Sequence, residues 1–229
     1  MCSSGIKNTS HYLASMEQIL VAGANGTTGK KIVHLLKESQ YFNPIAMVRK
    51  EEDIPYFKSK DIDTVLGDLE EDISHAFNNT VDKVLFAAGS GGKNVIGVDQ
   101  EGAKRLIDAS KKNNIRKFVM LSSMGADQPS KAEELQDYLK AKHNADEYLK
   151  DSGLNYTIVR PGSLTNNELT NKIELAEKLK KRGEISRADV AQTLVSTLND
   201  DVANKATFEI LSGDTLIADA LNKVAAENK

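Results

Sequence analysis

The chain has 229 residues, 40% of them hydrophobic, which is enough for one substantial core and too short for two full domains. Its charge is balanced, with 30 Lys and Arg against 33 Asp and Glu, so the composition excludes the concentrated basic surface that binds a nucleic-acid backbone. The single cysteine rules out an intrachain disulfide, the four separated histidines argue against a metal site, and no apolar run approaches the roughly 20 residues of a membrane span.

The first fifteen residues are expected to lie outside the folded domain. Residues 1–15 are rich in Ser and Asn without hydrophobic periodicity, and Met16 stands directly before the first clear strand. The N-terminus also lacks the charged start and apolar stretch of a secretory signal. We therefore predict a disordered extension over residues 1–15, one domain over residues 16–229 and a cytoplasmic location.

Short apolar strands alternate with amphipathic helices along the rest of the chain. Strands are predicted at residues 19–22, 45–48, 64–66, 83–88, 117–121, 156–159 and 207–211. Helices are predicted at residues 30–39, 99–112 and 131–151, and another opens with a capping box formed by Ser186 and Asp189. The basic run at residues 178–182 is predicted to lie on a solvated helix face, one turn after Glu174 and Glu177.

Strands without in/out alternation, separated by helices, indicate a parallel sheet covered on both faces. The predicted fold class is α/β, a doubly wound parallel sheet of the Rossmann type in a single domain. The pattern loosens after Pro161, where we expect a small C-terminal region that covers the substrate.

A glycine-rich turn follows the first predicted strand and precedes the first predicted helix. In it, Gly23 permits a sharp turn, Gly26 lets the backbone approach a pyrophosphate, and Gly29 lets helix and strand pack closely. The helix N-terminus then offers free amides and a favourable dipole to the anion. The cofactor-binding residues predicted in this turn are Gly23, Asn25, Gly26, Thr27, Thr28 and Gly29.

The end of the second strand indicates which dinucleotide is bound. Folds selective for NAD place an acidic residue there, about 20 residues after the glycines, to bond the ribose 2′-hydroxyl. Here the position is Arg49, followed by Lys50. Two cations suit a 2′-phosphate, so we predict NADP(H) in preference to NAD(H).

Two further strand ends complete the predicted cofactor site. Asp68 and Leu69 follow the third strand, which would place Asp68 beside the adenine amino group. The fourth strand ends in small residues that leave space for the ribose and pyrophosphate, namely Ala87, Ala88, Gly89 and Ser90.

In chain order these motifs resemble the atypical short-chain dehydrogenases/reductases, in the branch with NmrA-like and biliverdin-reductase-B-like members. The resemblance covers residue 18 to the C-terminus. It rests on Gly23-Ala-Asn-Gly-Thr-Thr-Gly29, Gly67-Asp-Leu69, Ala87-Ala-Gly-Ser90, Phe118-Val-Met-Leu-Ser-Ser-Met-Gly-Ala126, Tyr138-Leu-Lys-Ala-Lys142, Tyr156-Thr-Ile-Val-Arg-Pro-Gly-Ser163, Ile185-Ser-Arg-Ala-Asp-Val-Ala191 and Phe208-Glu-Ile-Leu-Ser-Gly-Asp214.

The resemblance implies a catalytic pair on the third long helix. Tyr138 and Lys142 are four residues apart and therefore share a helix face. In the superfamily, the tyrosine exchanges a proton with the substrate oxygen and the lysine holds the nicotinamide ribose. An adjacent cation makes a tyrosine usable as an acid/base near neutral pH.

Residues at the ends of the fifth and sixth strands are predicted to contact the substrate and the nicotinamide. Ser123 is predicted to orient the substrate carbonyl, with Ser122 as the alternative. By resemblance, Pro161, Gly162 and Ser163 border the nicotinamide. Arg160 is either a substrate anchor or part of a structural ion pair, and Asp189 is interpreted as a helix cap.

The sequence therefore predicts an NADP(H)-dependent oxidoreductase that transfers hydride to or from a small carbonyl or alcohol. The alternatives are a non-catalytic redox sensor that binds the dinucleotide, and a sugar epimerase-like enzyme. The expected partner of the protein is a small-molecule substrate, and no nucleic acid, membrane or metal is expected. The chain is expected to be a monomer or a homodimer.

Overall fold

The computed structural model describes residues 16–77 and 81–227, so the predicted extension at residues 1–15 lies outside the described residues. In this part of the chain the strands are β1 (Glu17–Ala22), β2 (Phe42–Val48), β3 (Asp63–Leu66), β4 (Lys83–Phe86), β5 (Lys117–Leu121), β6 (Tyr156–Pro161), β7 (Ser163–Thr165), β8 (Lys172–Ala176), β9 (Glu184–Ser186), β10 (Ala206–Ser212) and β11 (Thr215–Leu216).

The α-helices are α1 (Thr27–Lys37), α2 (Ile54–Lys58), α3 (Ala103–Lys112), α4 (Gln136–Asp151), α5 (Arg187–Ser196) and α6 (Ile217–Glu227). A π-helix (Val95–Gly102) leads directly into α3, and short 3₁₀ turns lie at Glu51–Asp53, Ser74–Phe77 and Pro129–Lys131. Within the described residues, no helix has the length and apolar character needed to cross a bilayer.

The central sheet has the order β11-β8-β10-β6-β5-β4-β1-β2-β3. Strands β1 to β6 and β10 pair in parallel, which confirms the predicted doubly wound sheet. The strand order reverses at β1, which lies between β4 and β2, so the crevice at this point is where such sheets bind ligands.

Each face of the sheet packs against its own helices. Ile19 and Val21 point into a core that includes α1, α5 and α6, whereas Leu20 and Ala22 point into a core that includes α3 and α4. All four residues are fully buried, because successive side chains of a strand face opposite sides and both sides are covered. This explains the apolar strands without alternation.

Several element boundaries differ from the predictions. Strand β2 begins at Phe42 and includes Pro44, because hydrogen bonding to β3 starts only at Ile45 and the missing N–H of proline is tolerated there. The helix expected from residue 131 begins at Gln136, after Leu135 adopts a left-handed conformation with φ of 59°.

The C-terminal third contains strands that the sequence did not predict. Strand β8 pairs antiparallel with β10, and β7 pairs with β9 in a separate two-stranded sheet. The predicted helix face at residues 178–182 is wrong, because this segment follows β8 as a loop. Charged residues occupy exposed loops as readily as solvated helix faces, so charge spacing alone was misleading.

The helix expected from Ser186 is present, and the Ser186 hydroxyl caps it by accepting from the Asp189 amide at 2.9 Å. The second half of the predicted capping box is wrong. The buried Asp189 carboxylate accepts from the amides of Thr170 and Asn171, at 3.0 and 2.7 Å, and so fixes the segment after β7.

Candidate functional site

A cleft of about 470 Å³ opens at the carboxyl ends of β1 to β4, at the point where the strand order reverses. Most of the predicted cofactor residues line it. The predicted residues in its wall are Gly23, Asn25, Gly26, Arg49, Lys50, Asp68, Leu69, Ala87, Ala88, Gly89 and Ser90. Its wall also includes residues that the sequence did not single out, among them Met47, Glu52, Asp53, Lys93 and Val98.

The glycine turn forms one end of this cleft. A Cβ on Gly23, where φ is 85°, would lie 2.5 Å from the Ala88 amide nitrogen, and a Cβ on Gly29 would overlap the Gly23 carbonyl. A Cβ on Gly26 would meet only the Gly23 carbonyl oxygen, at 3.2 Å, and otherwise open space. Gly23 and Gly29 are therefore required by packing, whereas Gly26 leaves room for a ligand.

Helix α1 presents an uncapped N-terminus next to this opening. Gly26 is its N-cap residue, no side chain caps it, and its first turn contains no acidic residue. The amides and the helix dipole are thus available to an anion. The side chains of Asn25 and Thr27 are exposed, whereas Thr28 is buried, so Thr28 offers a ligand its backbone rather than its hydroxyl.

The two predicted 2′-phosphate ligands differ in their surroundings. Lys50 donates to Glu52 at 2.8 Å, and this hydrogen bond raises the pKa of Lys50 and lowers that of Glu52. Arg49 is exposed and forms no ion pair with any described residue. The charge of Lys50 is therefore neutralised by Glu52, whereas the charge of Arg49 is available to a ligand at this end of the cleft.

The opposite wall is built by the segments that follow β3 and β4. Asp68 accepts from the Glu70 amide at 3.0 Å, which fixes the turn after β3. The Ser90 amide donates to Asp99 at 2.9 Å, and the Ser90 hydroxyl is buried without a hydrogen-bond partner among the described residues. This wall thus holds an unused polar group.

Tyr138 and Lys142 lie on one face of α4, as predicted. The Lys142 Nζ is 5.6 Å from the centroid of the Tyr138 ring and 5.6 Å from that of Phe86. The lysine is buried, and its Nζ lies 3.1 Å from Oδ1 of Asp99 in the π-helix. Sequence analysis missed Asp99, for which the available signal was an acidic residue at the start of a predicted helix.

The two serines after β5 have different environments. Ser122 is buried and donates to Asp146 at 2.8 Å, and the same carboxylate oxygen accepts from Arg160 Nε at 2.9 Å. Burial raises the pKa of Asp146, an effect that Arg160 and Ser122 oppose. Arg160 therefore belongs to a structural ion pair. Ser123 is half-buried, and its hydroxyl donates only to the Met124 carbonyl, at 3.2 Å.

The segment after β6 leads away from the central sheet into residues 162–186, which we call the covering region because the sequence predicts that it covers the substrate. Gly162 packs against the Gly183 carbonyl and Leu211 so closely that a Cβ has no space, and the Ser163 amide donates to Gly183 at 2.9 Å. Lys178, in the loop after β8, forms an ion pair with Asp127 in the loop after β5. This ion pair connects the covering region to the loop after β5, which also contains Ser123.

Comparison with known proteins identifies the family of the chain. A family model described as NAD(P)H-binding matches residues 23–201. The uncharacterized sugar epimerase YhfK of Bacillus subtilis is 38% identical over 215 residues, which cover 90% of this chain and 100% of YhfK. A solved structure from Bacillus halodurans, described as an NAD-dependent epimerase/dehydratase, has 38% identity and a TM-score of 0.85, with coverage of 90% and 99%. The oxidoreductase ylbE from Lactococcus lactis has 30% identity and a TM-score of 0.81, with coverage of 91% and 97%.

Proposed function

The chain belongs to the NAD(P)H-binding family, and on that premise we propose that it is an NADP(H)-dependent oxidoreductase of the atypical short-chain dehydrogenase/reductase type. The observation that carries the proposal is the chain of contacts between the cleft and α4. The Ser90 amide bonds Asp99, and Asp99 pairs with Lys142 beside Tyr138. These contacts connect Tyr138, a possible proton donor, to the dinucleotide cleft. This arrangement suits carbonyl reduction, because the carbonyl oxygen must receive a proton when the carbonyl carbon receives a hydride.

The residues of the cleft fit a dinucleotide. The open space at Gly26 and the uncapped start of α1 suit the pyrophosphate, and the small residues 87–90 leave room along the opposite wall. We assign Lys142 to the nicotinamide ribose and Pro161 to Ser163 to the nicotinamide end. When bound, the dinucleotide supplies or accepts the hydride.

The remaining chemistry belongs to side chains of this protein. In the reductive direction the Tyr138 phenol donates its proton to the substrate oxygen, and in the oxidative direction the phenolate takes it back. Lys142 stabilises the phenolate by its charge. The Ser123 hydroxyl exchanges its hydrogen bond to the Met124 carbonyl for one to the substrate carbonyl, which it orients. The substrate is a small carbonyl compound or alcohol.

The preference for NADP(H) rests on Arg49. Its guanidinium lacks an acidic partner among the described residues, whereas Lys50 is engaged by Glu52. A planar guanidinium binds a phosphate through two hydrogen bonds and gains nothing comparable from a ribose hydroxyl.

A titration of the purified protein with NADPH and with NADH, followed by fluorescence, tests the cofactor assignment. We expect the wild type to bind NADPH more tightly, and Arg49→Ala to weaken NADPH binding by about 10- to 100-fold with little change for NADH. Lys140→Ala is the matched control, because Lys140 is an exposed cation of α4 outside the cleft. If neither nucleotide binds to the wild type, the proposal is wrong.

A second candidate is a sugar epimerase, because one similar protein is named a sugar epimerase and another is described as an epimerase/dehydratase. In that reaction the oxidised cofactor would take a hydride from the sugar and return it within the same turnover. An epimerase would convert substrate without net consumption of NADPH, whereas the proposed oxidoreductase consumes one NADPH per product. Absorbance of the reduced nicotinamide, measured together with product formation, separates the two reactions.

A further inference from the structure

Asp99 and Lys142 form a buried ion pair that joins three parts of the candidate site. The side chain of Asp99 is 1% exposed and that of Lys142 is 4% exposed, with 3.1 Å between Oδ1 and Nζ. The other carboxylate oxygen of Asp99 accepts from the Ser90 amide at 2.9 Å. One side chain of the π-helix thus contacts both the loop that lines the cleft and the lysine of α4.

The π-helix gives Asp99 this position. Its first turn is capped by Asn94, whose side chain accepts from the Gly97 amide at 3.0 Å. The next residue after Asp99 also contacts α4, since Gln100 accepts from Asn144 at 2.6 Å. The wider helical turn therefore presents two successive side chains to α4, and π-helices recur at functional sites for this kind of reason.

The ammonium of Lys142 is buried and therefore needs a counter-ion. A lysine removed from water tends to lose its proton unless an anion is close. The ionisable groups around Lys142 are Asp99 from the π-helix, Tyr138 and Asp146 from its own helix, and Arg160 from β6 beyond Asp146. Because Asp146 is already paired with Arg160, Asp99 is the anion that stabilises the ammonium.

The geometry of the pair leaves the ammonium available to a ligand. Oδ1 of Asp99 is within 3.1 Å of Nζ, yet the contact lacks the angles of a hydrogen bond, and no described residue accepts a hydrogen bond from Lys142. Asp99 therefore supplies charge without occupying the N–H groups that would bind ribose hydroxyls.

We propose that Asp99 is a positioning residue that keeps Lys142 charged and directed at the bound dinucleotide, and that connects this lysine to the cleft wall at Ser90. The inference rests on the proposed function, since it assumes that Lys142 contacts the nucleotide. It adds a residue to the site that neither the glycine turn nor the Tyr-x-x-x-Lys pattern identifies.

The test is the pH dependence of NADPH affinity in Asp99→Asn, measured by fluorescence between about pH 6.5 and about pH 10. The carboxamide oxygen can still accept from the Ser90 amide, so the substitution removes mainly the charge. We expect affinity at neutral pH to fall about tenfold or more, and to decline on the alkaline side at lower pH than in the wild type, because Lys142 then loses its proton more readily. A merely structural role would not change the pH profile.

Further variants show whether a loss of NADPH affinity in Asp99→Asn acts through Lys142. Lys142→Met is expected to weaken binding to a similar degree, and the double variant should bind no more weakly than either single variant, because both remove the same interaction. Asp108→Asn is the matched control: it removes a carboxylate from a hydrogen bond of 2.9 Å to Tyr148 on the outer surface, and should leave affinity unchanged.

The outcomes distinguish the inference from the proposed function. If Lys142→Met weakens binding but Asp99→Asn retains wild-type affinity and pH dependence, the inference fails and the proposed function stands. If Lys142→Met binds as the wild type does, Lys142 is not a nucleotide ligand and the inference fails with that assignment. If Asp99→Asn alone does not fold while the double variant folds, the unpaired charge of Lys142 is the cause, which supports the inference.

Discussion

Ser122 and Ser123 illustrate how adjacent residues take different tasks at the end of one strand. Successive side chains of an extended chain point in opposite directions, so only one of the two hydroxyls can face a ligand at the strand end. Ser122 points inward to Asp146, which also binds Arg160. Ser123 donates only to the carbonyl of its neighbour Met124, at 3.2 Å, so its hydroxyl is the one that could turn to a substrate oxygen.

Tyr138→Phe removes only the phenolic hydroxyl and so tests whether this group is the proton donor. We expect turnover with NADPH and a carbonyl substrate to fall by about 100- to 10,000-fold, because the proton donor is lost. NADPH affinity should change by less than about twofold, since the ring beside Lys142 is retained.

Tyr148→Phe is the matched control for this substitution. Tyr148 lies on the same helix, and its hydroxyl bonds Asp108 at the surface, so its removal should leave turnover unchanged. Steady-state kinetics of both variants decide the assignment. Wild-type turnover in Tyr138→Phe would show that Tyr138 is not the proton donor.

At the scale of elements, the sequence predicted what periodicity determines and missed what depends on distant partners. The strand at residues 117–121 was predicted with its observed bounds, because a fully buried parallel strand is apolar on both faces. The helix predicted from residue 99 is wrong at its start: residues 95–102 form a π-helix, whose contacts with α4 join residues far apart in the chain.

The residues of the candidate site fall into the same two groups: those that local sequence identifies and those that depend on distant partners. The glycine turn and the strand ends were identifiable because their spacing in the chain is fixed by local geometry. Asp99 was not, since its role appears only when Lys142 and Ser90 meet it. The charged run at residues 178–182 was likewise misread, because an exposed loop and a solvated helix face can carry the same charge spacing.

Asp189 links α5 to the covering region, and Asp189→Ala tests this link. The buried carboxylate accepts from the amides of Thr170 and Asn171 and from two hydroxyls, so its loss leaves buried donors without a partner. We expect the free energy of unfolding to fall by about 2–4 kcal/mol. NADPH affinity at low temperature should be retained, because Asp189 does not line the cleft.

The matched control for this experiment is Asp219→Ala, which removes an exposed acidic residue from the first turn of α6. It should cost no more than about 1 kcal/mol, since only an interaction with the helix dipole is lost. Urea unfolding of the two variants measures the difference. Equal stability of both variants would mean that Asp189 does not hold the covering region.

On the scale of the whole molecule, the two ends of the sheet serve different purposes. The carboxyl end carries the cleft, whereas the amino end is closed by charges that hold the segment after α5. Lys83, at the start of β4, donates to the Leu198 carbonyl at 2.7 Å and pairs with Glu17 and Asp200, both at 2.6 Å. Lys117, at the start of β5, donates to the carbonyls of residues 199 and 202.

The buried Lys117 predicts an unusual dependence of stability on pH. Burial, with repulsion from Lys83, lowers the pKa of Lys117 to about 8 from its ordinary value of 10.5. Between these two pH values the unfolded chain binds a proton that the folded chain has released, so the contribution of this group to stability rises with pH across the window. The difference corresponds to about 3 kcal/mol as an upper limit.

Comparing the wild type with Lys117→Met by urea unfolding at several pH values isolates this contribution. The variant loses two hydrogen bonds at every pH, which gives a constant offset, whereas the titration gives a slope. We expect the wild type to gain stability relative to the variant as pH rises from about 8 to about 10.5, and Lys140→Met, at an exposed position, to show no such slope. A difference that stays constant with pH would show that Lys117 keeps its proton in the folded protein, and that the charges around Asp200 offset the cost of its burial.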